Sequence, residues 1–237
     1  MSLYPTQEWL EEYGRRLDEN AALDDVAAGW GVGFDGGILL VITDVPVEET
    51  TLGDLPPAAL GDIPEDIRAG VANVTLAEAP TKFGERLRPS LPAVVQDLLY
   101  QVETYVDDGT VYAYVGLESG RCTGVELLES PDDRETGFAV RATCREWQRL
   151  VDGRPALSAL LGGDLRIEGN PARIAQYATV FHLLADVAAE VETTHLFPRS
   201  PDPPAERLLD EALRGPIRVQ QAMQRNAMRS ARLFGFR

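Results

Sequence analysis

Apolar positions near the amino terminus recur at helical spacing: Trp9, Leu10, Tyr13 and Leu17 fall on one face of residues 6–20, with Thr6 placed as the cap and Glu8 in the first turn. The pattern then shortens. Residues 29–34 and the apolar run 38–43 flank Asp35-Gly36-Gly37, which predicts two strands joined as a β-hairpin. The glycines at 29, 31 and 33 do not make a dinucleotide-binding fingerprint, because that motif stands between a strand and a helix and here leads into a second strand. Residues 45–64, dense in Pro, Gly, Asp and Thr, predict an irregular surface connection. Residues 71–77 alternate as a strand. Residues 89–105 predict a helix with Pro89 or Pro92 in its first turn and an apolar stripe of Leu91, Val94, Val95, Leu98, Leu99 and Val102.

Three β-rich runs follow, at 111–117, 123–128 and 136–143, separated by turn material at 118–121 and 130–135; they predict an antiparallel meander. After them come short helices at 146–151 and 156–161, a short strand at 164–168, and a long helix opened by Asn170 as cap and Pro171 as first helical residue. Ile174, Tyr177, Ala178, Phe181, Ala185 and Ala188 form its buried face. The Pro-rich residues 200–204 separate a last helical segment from the body. Residues 1–198 are expected to form one body and residues 199–237 a carboxy-terminal arm.

Composition narrows the classes of function. With 44% hydrophobic residues in 237, the chain can fill a sizeable core. No apolar run approaches the ~20 residues of a membrane-spanning helix, and no basic-then-apolar segment opens the sequence, so a cytoplasmic location is expected. Cys122 and Cys144 read as reduced thiols; with His182 and His195 they show no metal-binding spacing, so neither metal nor cofactor is expected. The 38 acidic residues outnumber 22 basic ones, for a net charge of −16, and Lys82 is the only lysine. A nucleic acid would be repelled. This balance suggests a protein adapted to high salt.

Charge is uneven along the chain: residues 1–198 carry −20 and residues 199–237 carry +4. Ile217, Met223, Ala227 and Met228, interleaved with Arg218, Arg225, Arg229 and Arg232, fit a basic amphipathic helix. Its candidate partners are the acidic body itself, a second copy of the chain as a homodimer, or an anionic membrane. The preferred one is the body, where most of the negative charge lies.

Catalytic signals are weak. In Gly116-Leu117-Glu118-Ser119-Gly120 the serine stands one place too late for a hydrolase elbow and falls in a hairpin turn. Cys144 has no nucleophile-activating partner nearby in sequence, His182 and Asp186 fit a surface pair one helical turn apart, and His195 reads as a loop or helix-end residue. No acid, base and nucleophile assemble, and the chain is expected to be non-catalytic.

From Phe138 onward the order of segments resembles the carboxy-terminal half of the sterol-carrier-protein fold. The matching residues are Phe138 and Val140 on the last meander strand, Trp147 and Leu150 on the next helix, then Gly153, Leu157, Leu160, the Gly162-Gly163 pair, Leu165 and Ile167 on a strand, and Gly169-Asn170 opening the last helix. The resemblance implies an α+β fold, with a mostly antiparallel sheet of five strands or slightly more packed by helices, and a hydrophobic pocket between the layers. It also implies binding or transfer of an apolar ligand such as a sterol, a fatty acyl chain or an isoprenoid. The residues expected to line the pocket are Phe138, Val140, Trp147, Leu150, Leu157, Leu160, Leu161 and Phe181. Residues 45–105 exceed a minimal module of this kind and are expected to be an insertion or a lid. The alternative function is a structural or interaction protein that works through its basic tail.

Overall fold

Residues 2–60 and 65–198 are described by the structure, a computed structural model. Residues 199–237, on which the expected basic arm falls, lie outside the described residues. The chain opens with β1 (Ser2–Tyr4) and α1 (Gln7–Asp18). Thr6 caps α1 as its position predicts, its hydroxyl accepting from the Trp9 amide, and Trp9, Leu10, Tyr13 and Leu17 are buried. Asn20 starts a second helix, α2 (Ala21–Val26), by accepting from the Ala22 and Leu23 amides.

The expected hairpin over 29–43 does not form. Residues 27–37 fold as turns and coil that carry Trp30 into the core, fully buried, with ring centroids of Phe34, Phe138, Tyr177 and Phe181 between 4.8 and 5.7 Å away. Its indole N–H donates to the Gly36 carbonyl at 2.8 Å. A Cβ on Gly36 would lie 2.3 Å from the Leu117 carbonyl oxygen and 2.7 Å from the Trp30 indole nitrogen. Gly36 therefore serves close packing between this ring and the Leu117 carbonyl.

Residues 38–43 do form a strand, β2 (Ile38–Thr43). The stretch expected as an irregular surface connection buries Val45, Val47, Leu52, Leu55 and Leu60 and includes α3 (Pro57–Leu60). Residues 71–77 make no strand beyond a single bridge between Thr51 and Thr75. Around them lie α4 (Glu65–Val71), α5 (Ala79–Leu87) and α6 (Ala93–Tyr105). Val95, Leu98, Leu99 and Val102 of α6 are buried, whereas Val94 is exposed.

The main sheet has six strands. They are β2, β3 (Val106–Asp107), β4 (Thr110–Glu118), β5 (Arg121–Leu128), β6 (Phe138–Thr143) and β7 (Arg166–Gly169). Their order is β3-β4-β2-β6-β7, with β5 also paired to β4. All pairings are antiparallel except β2 with β6, which is parallel. The α+β class holds, with a mixed, mostly antiparallel sheet in place of a three-strand meander. β5 and β6 do not pair, because β2 takes the place between β4 and β6. Its five consecutive apolar residues, Ile38 to Ile42, suit a strand with partners on both edges and apolar contacts on both faces.

Beyond β6 run α7 (Cys144–Val151), α8 (Ala156–Gly162), then β7, α9 (Pro171–Gln176) and α10 (Ala178–Ala188). Asn170 caps α9 as predicted, accepting from the Ala172 and Arg173 amides, but the long helix is broken at Tyr177 (φ −110°, ψ 26°). The break lets Tyr177 pack on Trp30. A last strand, β8 (Thr193–His195), pairs in parallel with β1 and ties the two ends of the described body together.

One polar cluster holds the corner where α7, α8 and β7 meet. Arg154, only 5% exposed, bonds Glu146 on α7 and reaches Asp164 at 2.8 Å, while Arg149 also pairs with Glu146 at 3.1 Å.

Candidate ligand cavity

The register of the sheet builds one wall of a cavity from a single row of side chains. Leu127 lies opposite Ala113, Ala113 opposite Leu40, Leu40 beside Val140, and Val140 opposite Ile167. All five line the cavity, joined by Ile38, Ile42 and Val115 on the same face at the period-2 spacing of a strand. Ala113 is the smallest residue of the row, and its short side chain leaves part of the space. The opposite wall is helical: Trp9, Leu10 and Tyr13 from α1, Trp147, Leu150 and Val151 from α7, and Phe181, Leu184, Ala185 and Ala188 from α10. Tyr4, Pro5 and Thr6 contribute one end, Ala156 and Leu165 further contacts. The cavity volume is about 70 Å³.

No Asp, Glu, Lys, Arg or His is among the lining residues. The polar atoms that do belong to the wall are almost all engaged. The Trp9 indole donates to the Thr193 hydroxyl at 2.8 Å, the Trp147 indole to the Val41 carbonyl at 3.0 Å, and the Tyr13 hydroxyl to the Leu184 carbonyl at 3.0 Å. The Thr6 hydroxyl donates to the Leu3 carbonyl at 2.5 Å and accepts from the Trp9 amide. The Tyr4 hydroxyl is buried and has no hydrogen-bond partner.

Of the eight residues expected to line a pocket, the structure brings four together on this cavity: Val140, Trp147, Leu150 and Phe181. Phe138 sits on the same sheet face one row away, where it is buried against Trp30, Phe34 and Phe181. Leu160 is half-buried against the core. Leu157 and Leu161 point outward, 51% and 74% exposed. The reason is helical geometry: α8 turns Ala156 and Ala159 inward, and residues 157 and 161 fall on the opposite face. Tyr4, Trp9, Tyr13, Leu40 and Ala113 also belong to the wall. Trp9 and Tyr13 were signalled by the apolar face of α1, and Leu40 and Ala113 by an apolar run and an alternating one, but none of these patterns distinguishes a cavity wall from ordinary core, and none marks Tyr4. Among the described residues, none from 45–105 lines the cavity.

Groups with chemistry of their own lie elsewhere. Cys144 is buried, and burial together with the nearby Asp44 carboxylate pushes its thiol up to about 12, which keeps it protonated near neutrality. His182 and Asp186 approach to 4.0 Å on α10. His195, expected in a loop or at a helix end, is instead in β8, with Nε2 2.9 Å from Asp152 Oδ1. Among the described residues no group of three or more His, Cys, Asp or Glu side chains is placed to hold a metal ion. Among them, too, no helix is long and apolar enough to cross a membrane.

No family model matches the chain, and no curated protein matches it. Two solved structures are similar to it. One is the crystal structure of sterol carrier protein 2, 22% identical, covering 78% of this chain and 97% of that one with a TM-score of 0.46. The other is the solution structure of a conserved hypothetical protein from Thermus thermophilus, described as possibly a sterol carrier protein. It is 22% identical and covers 80% of this chain and 90% of that one, with a TM-score of 0.47.

Proposed function

We propose that the body of this protein, residues 1–198, binds an apolar molecule between the sheet and the helices α1, α7 and α10, and carries or presents it without chemical change. The observation that supports this most is the composition of the cavity wall: a row of aliphatic side chains across five strands faces five aromatic residues, with no Asp, Glu, Lys, Arg or His side chain among them. The resemblance of residues 138–170 to sterol carrier proteins points the same way. In this reading residues 45–105 are an elaboration packed away from the cavity.

Size refines the proposal. A cavity of about 150 Å³ accommodates benzene or xenon, and the space here is about half of that. The cavity as it stands is therefore too small for anything as large as a lipid, and admitting one requires its helical wall and the sheet to move apart. Burial supplies the driving force: about 200 Å² of apolar ligand surface contributes about 5 kcal/mol.

The experiment is a titration with the neutral, apolar dye N-phenyl-1-naphthylamine, followed by fluorescence. Wild type is expected to show saturable one-to-one binding. Ala113→Leu places three more carbons in the middle of the row and is expected to weaken binding by roughly 10-fold or more while keeping or raising the melting temperature. Equal binding by a folded Ala113→Leu variant would place the dye elsewhere and sink the proposal.

A further inference from the structure

Within the cavity wall the hydrogen-bonding capacity is unevenly used. The two indoles, the Tyr13 hydroxyl and the Thr6 hydroxyl are each committed to a protein partner. Tyr4 is different: it is 2% exposed, lines the cavity, and its hydroxyl oxygen meets no donor or acceptor. Buried phenols ordinarily find a partner, since an unmet one forfeits the hydrogen bond it had in water. Its ring is fixed edge-on against Trp9 at 4.8 Å and His195 at 6.0 Å between centroids, and its backbone is held in the β1–β8 pair. The hydroxyl therefore does not swing out to solvent to recover one.

Resting on the apolar-ligand reading, we infer that the ligand carries one uncharged oxygen, a hydroxyl or carbonyl, and that Tyr4 is the residue that hydrogen-bonds it. The rest of the molecule is hydrocarbon, because every other lining side chain that carries a donor has already committed it to a protein acceptor. A carboxylate or phosphate is disfavoured: no cationic side chain lines the cavity, and an unpaired ionised group buried among aliphatic side chains is strongly penalised. Burial, with the neighbouring Cys144 thiol as a lesser cause, raises the Tyr4 phenol well above its ordinary value, so it stays a neutral donor over the whole physiological range. The substrate class is thus a hydrophobic alcohol or ketone rather than a free fatty acid.

The test uses the full chain and three probes of matched shape, cyclohexanol, cyclohexane and cyclohexanecarboxylate, at pH 8 with binding read by NMR titration. Wild type is expected to bind cyclohexanol and cyclohexane and to bind the carboxylate at least roughly 10-fold more weakly than the alcohol. Tyr4→Phe is expected to lose roughly 10-fold in affinity for cyclohexanol and little for cyclohexane, the factor that one hydrogen bond supplies. Tyr13→Phe serves as the comparison, since its hydroxyl is already bonded to Leu184 and its removal should change alcohol and hydrocarbon by the same factor. If Tyr4→Phe treats the two neutral probes alike, or the carboxylate binds wild type as well as the alcohol does, the assignment of Tyr4 is overturned while the cavity still binds apolar molecules. If none of the three binds wild type, the reading of the cavity falls and the Tyr4 assignment with it.

Discussion

Trp30→Ala is expected to destabilise the protein by about 3–5 kcal/mol, the range for emptying a buried aromatic site. The indole is 0% exposed, touches four other rings and closes a hydrogen bond to Gly36, so its removal leaves a void and an unmet carbonyl together. Two of those rings, Phe138 and Phe181, stand next to or in the cavity wall, and the variant should therefore also loosen ligand binding. Denaturant unfolding gives the number through the shift in midpoint at constant slope. A loss below about 1 kcal/mol would mean that the turns of residues 27–37 are not packed around this residue as described.

Arg154→Ala is expected to cost about 3 kcal/mol, for a different reason. The guanidinium is almost wholly buried and meets Glu146 and Asp164 at once, so truncation strands partly buried carboxylate charge and detaches α7 from the segment leading into β7. Arg149 keeps one contact to Glu146 and limits the loss. Arg15 also pairs with carboxylates, Glu12 and Glu19, but on the solvent-exposed side of α1, and Arg15→Ala should be nearly silent. Thermal unfolding of the two variants side by side decides the matter. Equal small effects would show that burial adds nothing to the Arg154 cluster.

The local rules of the sequence were legible where one residue type decides the backbone. Thr6 and Asn170 start helices because their side chains accept amide hydrogen bonds, and both do so in the structure. Strands 38–43, 110–118 and 121–128 follow from apolar runs or alternation bounded by turns. What the sequence did not show is partnership. The parallel pairing of β2 with β6 joins residues about a hundred positions apart, and nothing local marks it. The β1–β8 pair is three residues long on each side, too short for any periodicity to register.

The glycine-rich stretch around Trp30 misled for a physical reason: an Asp-Gly turn next to an apolar run signals a hairpin unless a large ring nearby needs the room. Val140, Trp147, Leu150 and Phe181 come to line the cavity because they lie on faces that pattern alone identifies as buried. Leu157 and Leu161 were misplaced because α8 is only seven residues long, too short for its buried face to be read from two leucines. Tyr4 escaped notice because its significance lies in a bond it does not make, which only a complete inventory of partners reveals.

The most direct measurement of the central claim is native mass spectrometry of the full chain as purified from cells, followed by solvent extraction and identification of whatever is released. The account predicts a one-to-one adduct that leaves on extraction and proves to be a predominantly hydrocarbon molecule. A protein that is empty as purified, and that stays empty after exposure to hydrophobic alcohols, ketones and hydrocarbons, would contradict it.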